Sequence, residues 1–307
     1  MSVDREALDE AFESPEELLR SASEAMDAFM EELKKEYART QLAYEADEAQ
    51  LPGFTVHRFS LDGRPPIKLR KIAYDVVGEL RDALDQAVFN ATVLLGGNPK
   101  KTATYFPFAE NPNEFEKLFS PPKGRCRDIH PHLVPTLKDM SPWWKDPGTG
   151  TGDDVFRTLG KLSGPNKHQV IIDFAPELLA SQTSSTCDGL VYAMTIPPLR
   201  LDYFNQSHPE FALPTTRGRV DFICGITPPK VSLGLEFDAH IALCAKEATR
   251  VSLPIERLLK EFVWKTANAV AKIKSRAVVA QDAKADLRSS LPRPPRQIDE
   301  HDSDAEA

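Results

Sequence analysis

The sequence predicts an α+β fold, with a long antiparallel helical hairpin and a C-terminal helix packed on a mostly antiparallel sheet. Three observations lead there. Up to residue 97, apolar residues recur with the 3.6-residue period of a helix. Between 169 and 243 they alternate with the period of two that puts successive side chains on opposite faces of a strand. Past Pro254 the helical period returns.

The first helix has a start signal. Ser14 can cap, Pro15 suits the first helical position and Glu17 completes a capping box. Leu18, Ala22, Ala25, Met26, Phe29, Leu33 and Tyr37 then mark one face, and Pro52–Gly53 ends the run. An extended piece, Phe54–Ser60, leads to an Asp62–Gly63 turn. The second helix opens near Pro66. Leu69, Ile72, Ala73, Val76, Leu80, Leu84, Val88 and Ala91 form its stripe, and Gly96–Gly97 stops it. Residues 98–166 hold ten of the 25 prolines and read as irregular, with short helices at Asn113–Phe119 and Asp153–Leu162. Trp143–Trp144 read as anchors of that region, since each ring has a large apolar area to bury.

Strands are expected at Gln169–Phe174 and over 190–196, 220–224 and 231–243, with Thr227–Lys230 turning between the last two. The final helix carries Leu258, Leu259, Phe262, Val263, Ala267, Val270 and Ile273 on its apolar side. The expected organisation is an acidic disordered tail over 1–13, one domain over 14–278, and a Pro-rich acidic tail over 279–307. Within the domain, 14–97 is the hairpin, 98–166 the irregular region, and 167–278 the sheet and last helix.

The charge follows the same division. The net charge is −8, with −4 on residues 1–13 and −3 on 279–307, so residues 14–278 carry only −1. Such a body has no basic stripe to displace counterions, which disfavours nucleic acid as a partner. The longest apolar runs fall short of the roughly 20 residues of a membrane span. An acidic N-terminus without an apolar core segment, and four cysteines without a CxxC pair, predict a cytoplasmic protein with free thiols.

Few motifs point to chemistry. The glycines of 147–152 and the later Gly160–Lys161 lack phosphate-loop spacing, because Leu162 follows the lysine and no strand precedes the glycines. They read as a turn. Cys126, His130 and His132 supply three of the four ligands a structural zinc needs, so no metal or other cofactor is expected. Cys224 and Cys244 sit in apolar patterns and read as core residues. One polar cluster is predicted, joining Arg81 and Asp85 of the second helix to Lys167 and His168 at a sheet end. Its cations suit a phosphate or carboxylate. The simpler reading of Arg81 and Asp85 is an ion pair four residues apart on one helix face.

Two segments carry a resemblance. Val77–Gln86 and Gly164–Gln169 together resemble an uncharacterised bacterial family with a GE…LRxALD helix and a DKH or NKH element. The resemblance implies a fold plan and no activity. The helix is also distantly similar to the HEPN ribonucleases, where an Arg is followed four to six residues on by a His. Here Arg81 is present and Gln86 stands in place of the His.

Three functions follow as expectations. The first is a noncatalytic binding or interaction module with a protein partner. The second is a HEPN-like nucleic-acid-processing or defence enzyme, a degenerate one if the His is essential, since Gln86 cannot titrate near neutrality. The third is a binder of, or enzyme on, a small anionic ligand, using Lys167 and His168.

Overall fold

The computed structural model describes backbone and side chains for residues 5–39, 66–163 and 253–283, the Tyr37 side chain excepted, and carries the last helix on to Ser290. These described residues are 71% helical, in six helices, and no strand occurs among them. The α+β expectation, with hairpin and last helix packed on an antiparallel sheet, is therefore corrected to a helical body. The expected strands, the Phe54–Ser60 piece, Lys167 and His168 lie outside the described residues.

Helix α1 runs Arg5–Arg39 and α2 runs Ile67–Leu94. They are antiparallel, because their cross-bonds pair rising numbers on one with falling numbers on the other. Asn90 donates to the Ala11 carbonyl, Ser14 to Gln86, Ser21 to Glu79, and Lys68 to Glu32. The expected hairpin is thus present, but α1 starts earlier than its capping signal predicts. Pro15 lies inside the helix, and the Ser14 hydroxyl is 2.6 Å from Gln86 Oε1. The preceding turns bury Leu8 and Phe12, and each such side chain contributes about 1.5–3 kcal/mol. Together they offset the roughly 3 kcal/mol that a proline costs inside a helix. Residues 5–13, expected in a disordered tail, are therefore helical.

Helix α6, Ile255–Ser290, lies against both arms. Lys274 reaches Asp9 and Glu16 of α1 at 3.0 and 2.8 Å, and Gln281 donates to the Leu94 carbonyl at the end of α2. It also runs past the expected boundary at 278, because Ala277 and Ala280 still bury against the body. Ile255, Leu258, Leu259, Phe262, Val270 and Ile273 fill the apolar face of the hairpin that a sheet was expected to cover. That is the physical reason no sheet is needed to close this core.

The Pro-rich region completes the helical body with short pieces. These are α3 (Pro112–Leu118), a 3-10 turn (Pro131–Leu133), α4 (Val134–Asp139) and α5 (Asp154–Leu162). Asn111 caps α3 by accepting from Glu114 N, and Asp153 caps α5 by accepting from Phe156 N, each at 2.9 Å. Trp143 is buried and packs edge-on to Phe115 at 5.3 Å, so it anchors the loop as expected. No helix among the described residues is long and apolar enough to cross a membrane.

Candidate functional site

Among the described residues a cleft lies where α2, α5 and two loops meet. Helix α2 supplies Arg81 and Asp85, one turn apart on the side away from α1. The 105–108 segment supplies Tyr105, Phe106 and Phe108. Leu118, Arg125 and Cys126 come from the end of α3 and the loop after it, and Arg157, Gly160 and Lys161 from α5. The cavity measures about 560 Å³. Four cations and one carboxylate line it.

Local structure sets each wall. The Phe106, Phe108 and Phe156 rings form a triangle with centroids 4.8, 5.2 and 5.5 Å apart, which fixes α5 against the 105–108 segment. Gly160 makes the approach close. A Cβ there would lie 2.4 Å from Phe108 Cγ, so only hydrogen fits. The third wall is a turn in which Gly124 N donates to the Ser120 carbonyl and Cys126 N to the Leu118 carbonyl, both at 2.9 Å. This turn leaves Arg125 exposed beside buried Cys126.

Asp85 joins two of these walls. Its Oδ2 accepts from Arg81 Nε at 2.9 Å and its Oδ1 from the Phe106 backbone N–H at 2.7 Å. Burial pushes its carboxyl above the ordinary value of 3.8, against the pull of Arg81 and of that N–H. The Arg81 guanidinium in turn lies 4.7 Å from the Phe108 ring centre. The ion pair expected from the i,i+4 spacing is therefore present, with a third partner that spacing does not show.

Arg157 is held from behind. It pairs with Glu110, whose other oxygen accepts from Trp144 Nε1, and it lies over the Trp144 ring at 5.4 Å. Burial alone would raise the Glu110 carboxyl, but Arg157, Trp144 and Lys161 hold it below its ordinary value. The Arg157 Nε is buried and has no hydrogen-bond partner among the described residues. Neither Arg125 nor Lys161 forms an ion pair among the described residues.

The cleft has poor means for covalent chemistry. Burial pushes the Cys126 thiol up to about 12, and its Sγ donates to the Tyr105 carbonyl at 3.1 Å. A thiol so held supplies almost no thiolate near neutral pH. His130 and His132 stack on each other with ring centres 5.1 Å apart, His132 N donating to His130 Nδ1, and neither lines the cleft. Among the described residues no group of three or more His, Cys, Asp or Glu side chains could hold a metal. The glycine segment at 147–152 is a turn gathered on Asp146, which accepts from Gly148 N at 2.8 Å and from the Thr149 hydroxyl at 3.1 Å. Its backbone donors serve the turn and not a phosphate cradle.

Of the four residues predicted to cluster, Arg81 and Asp85 do come together, while Lys167 and His168 fall outside the described residues. Arg125 and Arg157 escaped the sequence reading, which weighed Lys161 only for a phosphate loop and set it aside. A signal existed for two of the three. With Val155, Phe156, Leu159 and Leu162 inward on α5, Arg157 and Lys161 are four apart on the opposite side. Gln86, in the place of the HEPN histidine, points at Ser14 of α1 and is not part of the cleft lining. No family model, curated protein or solved structure matches this chain.

Proposed function

We propose that this protein is a noncatalytic binder of a small organic anion, which it takes into the cleft between α2 and α5. The observation that carries the reading is the lining itself, with Arg81, Arg125, Arg157 and Lys161 set against the single carboxylate of Asp85. The volume falls in the range of about 300–1,000 Å³ typical of small-molecule sites. Tyr105, Phe106, Phe108 and Leu118 supply an apolar wall, and the cations supply orientation.

Binding without turnover fits the chemistry present. Among the described residues, both Asp85 oxygens are engaged, the Cys126 thiol is held protonated, and no histidine lines the cleft. The described lining therefore offers no free carboxylate, thiolate or imidazole to move a proton near neutral pH. The same facts weigh against a HEPN-type reaction, which needs a titratable partner facing Arg81. Nucleic acid is a poor fit as ligand, because the cations line a pocket and not a stripe that could follow a backbone. A cytoplasmic setting suits a buried free thiol such as Cys126.

The test is thermal unfolding of the full chain with three probes, phenyl phosphate, phenyl sulfate and benzoate. At a concentration 100 times its Kd a ligand stabilises by about 2.7 kcal/mol, which displaces the melting temperature by several degrees. At least one probe should do this with wild type, and the Arg125→Gln/Lys161→Gln double variant should respond much more weakly to every probe. Wild type indifferent to all three at millimolar concentration would overturn the proposal.

A further inference from the structure

Resting on that reading of the cleft, we infer that its ligand is a phosphomonoester, bound as the dianion with its organic group against the aromatic wall. The first ground is how the four cations are balanced. Asp85 offsets Arg81 from within the cleft, and Glu110 offsets Arg157 from behind it. Arg125 and Lys161 are within ion-pair distance of no carboxylate among the described residues, Lys161 reaching Glu110 only at longer range. By count, the four cations therefore exceed these two carboxylates by two charges. A carboxylate or a sulfate monoester brings one negative charge. A phosphomonoester carries roughly −1.5 to −2 near pH 7, which matches both cations.

The donors match as well. Arg157 lines the cleft, and its buried Nε–H has no acceptor among the described residues, a state that costs stability. Arg125 offers a guanidinium fork and Lys161 an ammonium, both exposed and able to turn inward. Three acceptor oxygens on one phosphorus serve three such donors at once. A planar carboxylate has only two oxygens. The cavity is also much larger than a phosphate group, and Tyr105, Phe106 and Leu118 line the remainder. Inorganic phosphate would leave that apolar wall uncovered, so the phosphate is expected on an organic body.

The experiment compares phenyl phosphate with phenyl sulfate by titration calorimetry, from pH 5 to 7.5. The two probes share ring and shape and differ by one charge above the second phosphate pKa of about 6. At pH 7.5 the phosphate ester should bind about tenfold tighter, and the preference should fade toward pH 5 as it takes up a proton. The protein groups facing the ligand are Arg81 and Asp85 of α2, Tyr105, Arg125 and Cys126 of the loops, and Arg157 and Lys161 of α5. Glu110 stands behind Arg157. The sulfate ester keeps one charge over this range, so it is the control for any effect of pH on the protein itself. Arg125→Gln or Lys161→Gln should each cut the preference to about threefold, and inorganic phosphate should bind more weakly than its phenyl ester. Both side chains are exposed, so neither change threatens folding. Equal binding of the two esters at every pH would overturn the phosphomonoester inference and leave anion binding standing. Binding of neither would overturn both.

Discussion

Replacing Asp85 with Ala should destabilise the helical body by about 3 kcal/mol, because one side chain serves two groups that have little other recourse. Phe106 is 1% exposed, and its N–H loses an acceptor at 2.7 Å. An unsatisfied buried donor costs about 1–3 kcal/mol. The Arg81 side chain, 16% exposed, loses its counter-charge. Breaking a fully buried pair costs about 3–5 kcal/mol, but residual contact with water lowers that here. Asp85→Asn retains an acceptor for Phe106 N and loses only a charge that burial already disfavours, so at neutral pH it should cost much less, under about 1 kcal/mol. Urea unfolding followed by helical circular dichroism measures both, provided the slopes are unchanged. The two variants also separate in pH. The Asp85 carboxyl titrates above its ordinary 3.8 in the fold because burial penalises its charge. The folded state therefore holds that proton more tightly than the unfolded chain. Wild-type stability relative to Asp85→Asn should be greatest below the unfolded value and should fall as pH rises through the folded one. An Asp85→Ala loss under 1 kcal/mol, or a difference that grows with rising pH, would refute this account.

The other expectations test packing and reactivity. Phe12→Ala should cost about 3–5 kcal/mol, since the ring is fully buried, and the same unfolding assay reads it. An effect below 1 kcal/mol would mean that the N-terminal turns of α1 are dispensable, as their acidic composition suggests. Gly160→Ala should destabilise by about 1–2 kcal/mol, because the clash with Phe108 outweighs the gain in helix propensity of roughly 1 kcal/mol. A more stable variant would show that Phe108 moves aside freely. Cys126 should resist iodoacetamide in the folded protein at pH 8, since burial pushes its thiol up to about 12. Peptide mapping after alkylation decides this, and native-state labelling at Cys126 would contradict the packing described.

The helices were legible because amphipathic stripes of this length have one good explanation. The α2 stripe from Leu69 to Ala91 faces the core as read, and Asp153 starts α5 where the sequence puts it, while α3 begins at Pro112 behind an Asn111 cap that the reading from Asn113 missed. The start of α1 was misread because Ser14, Pro15 and Glu17 spell a local cap. Whether a cap is used depends on what precedes it, and Leu8 and Phe12 extend the buried face backward. The error over what the hairpin packs on was of another kind. Periodicity says which face of a helix is buried, not what buries it. Here α6 and the Phe106, Phe108, Phe115 and Phe156 rings do so. Those four rings sit in a Pro-rich stretch with no long period, where pattern reading has nothing to count.

The cleft was half legible for a related reason. Spacing on one helix shows Arg81 and Asp85 as neighbours, but it is silent on the Phe106 N–H that makes Asp85 structural. Arg125 and Arg157 are 32 positions apart in the chain and meet only through the fold. This division of labour bears on function. Asp85 and Glu110 hold Arg81 and Arg157 in place whether or not a ligand is bound, so the scaffold meets most of the cost of burying two guanidinium groups. The ligand then has to satisfy only the orphan Arg157 N–H and the two exposed cations. Exposed cations give modest, salt-sensitive attraction, while the buried groups resist screening. Affinity should therefore fall with added salt only as far as Arg125 and Lys161 contribute. The double variant should bind weakly and with little salt dependence. Loss of a strong salt dependence in that variant, with weak binding retained, would place Arg81 and Arg157 as the fixed floor of the site. Complete independence of salt in wild type would remove Arg125 and Lys161 from it.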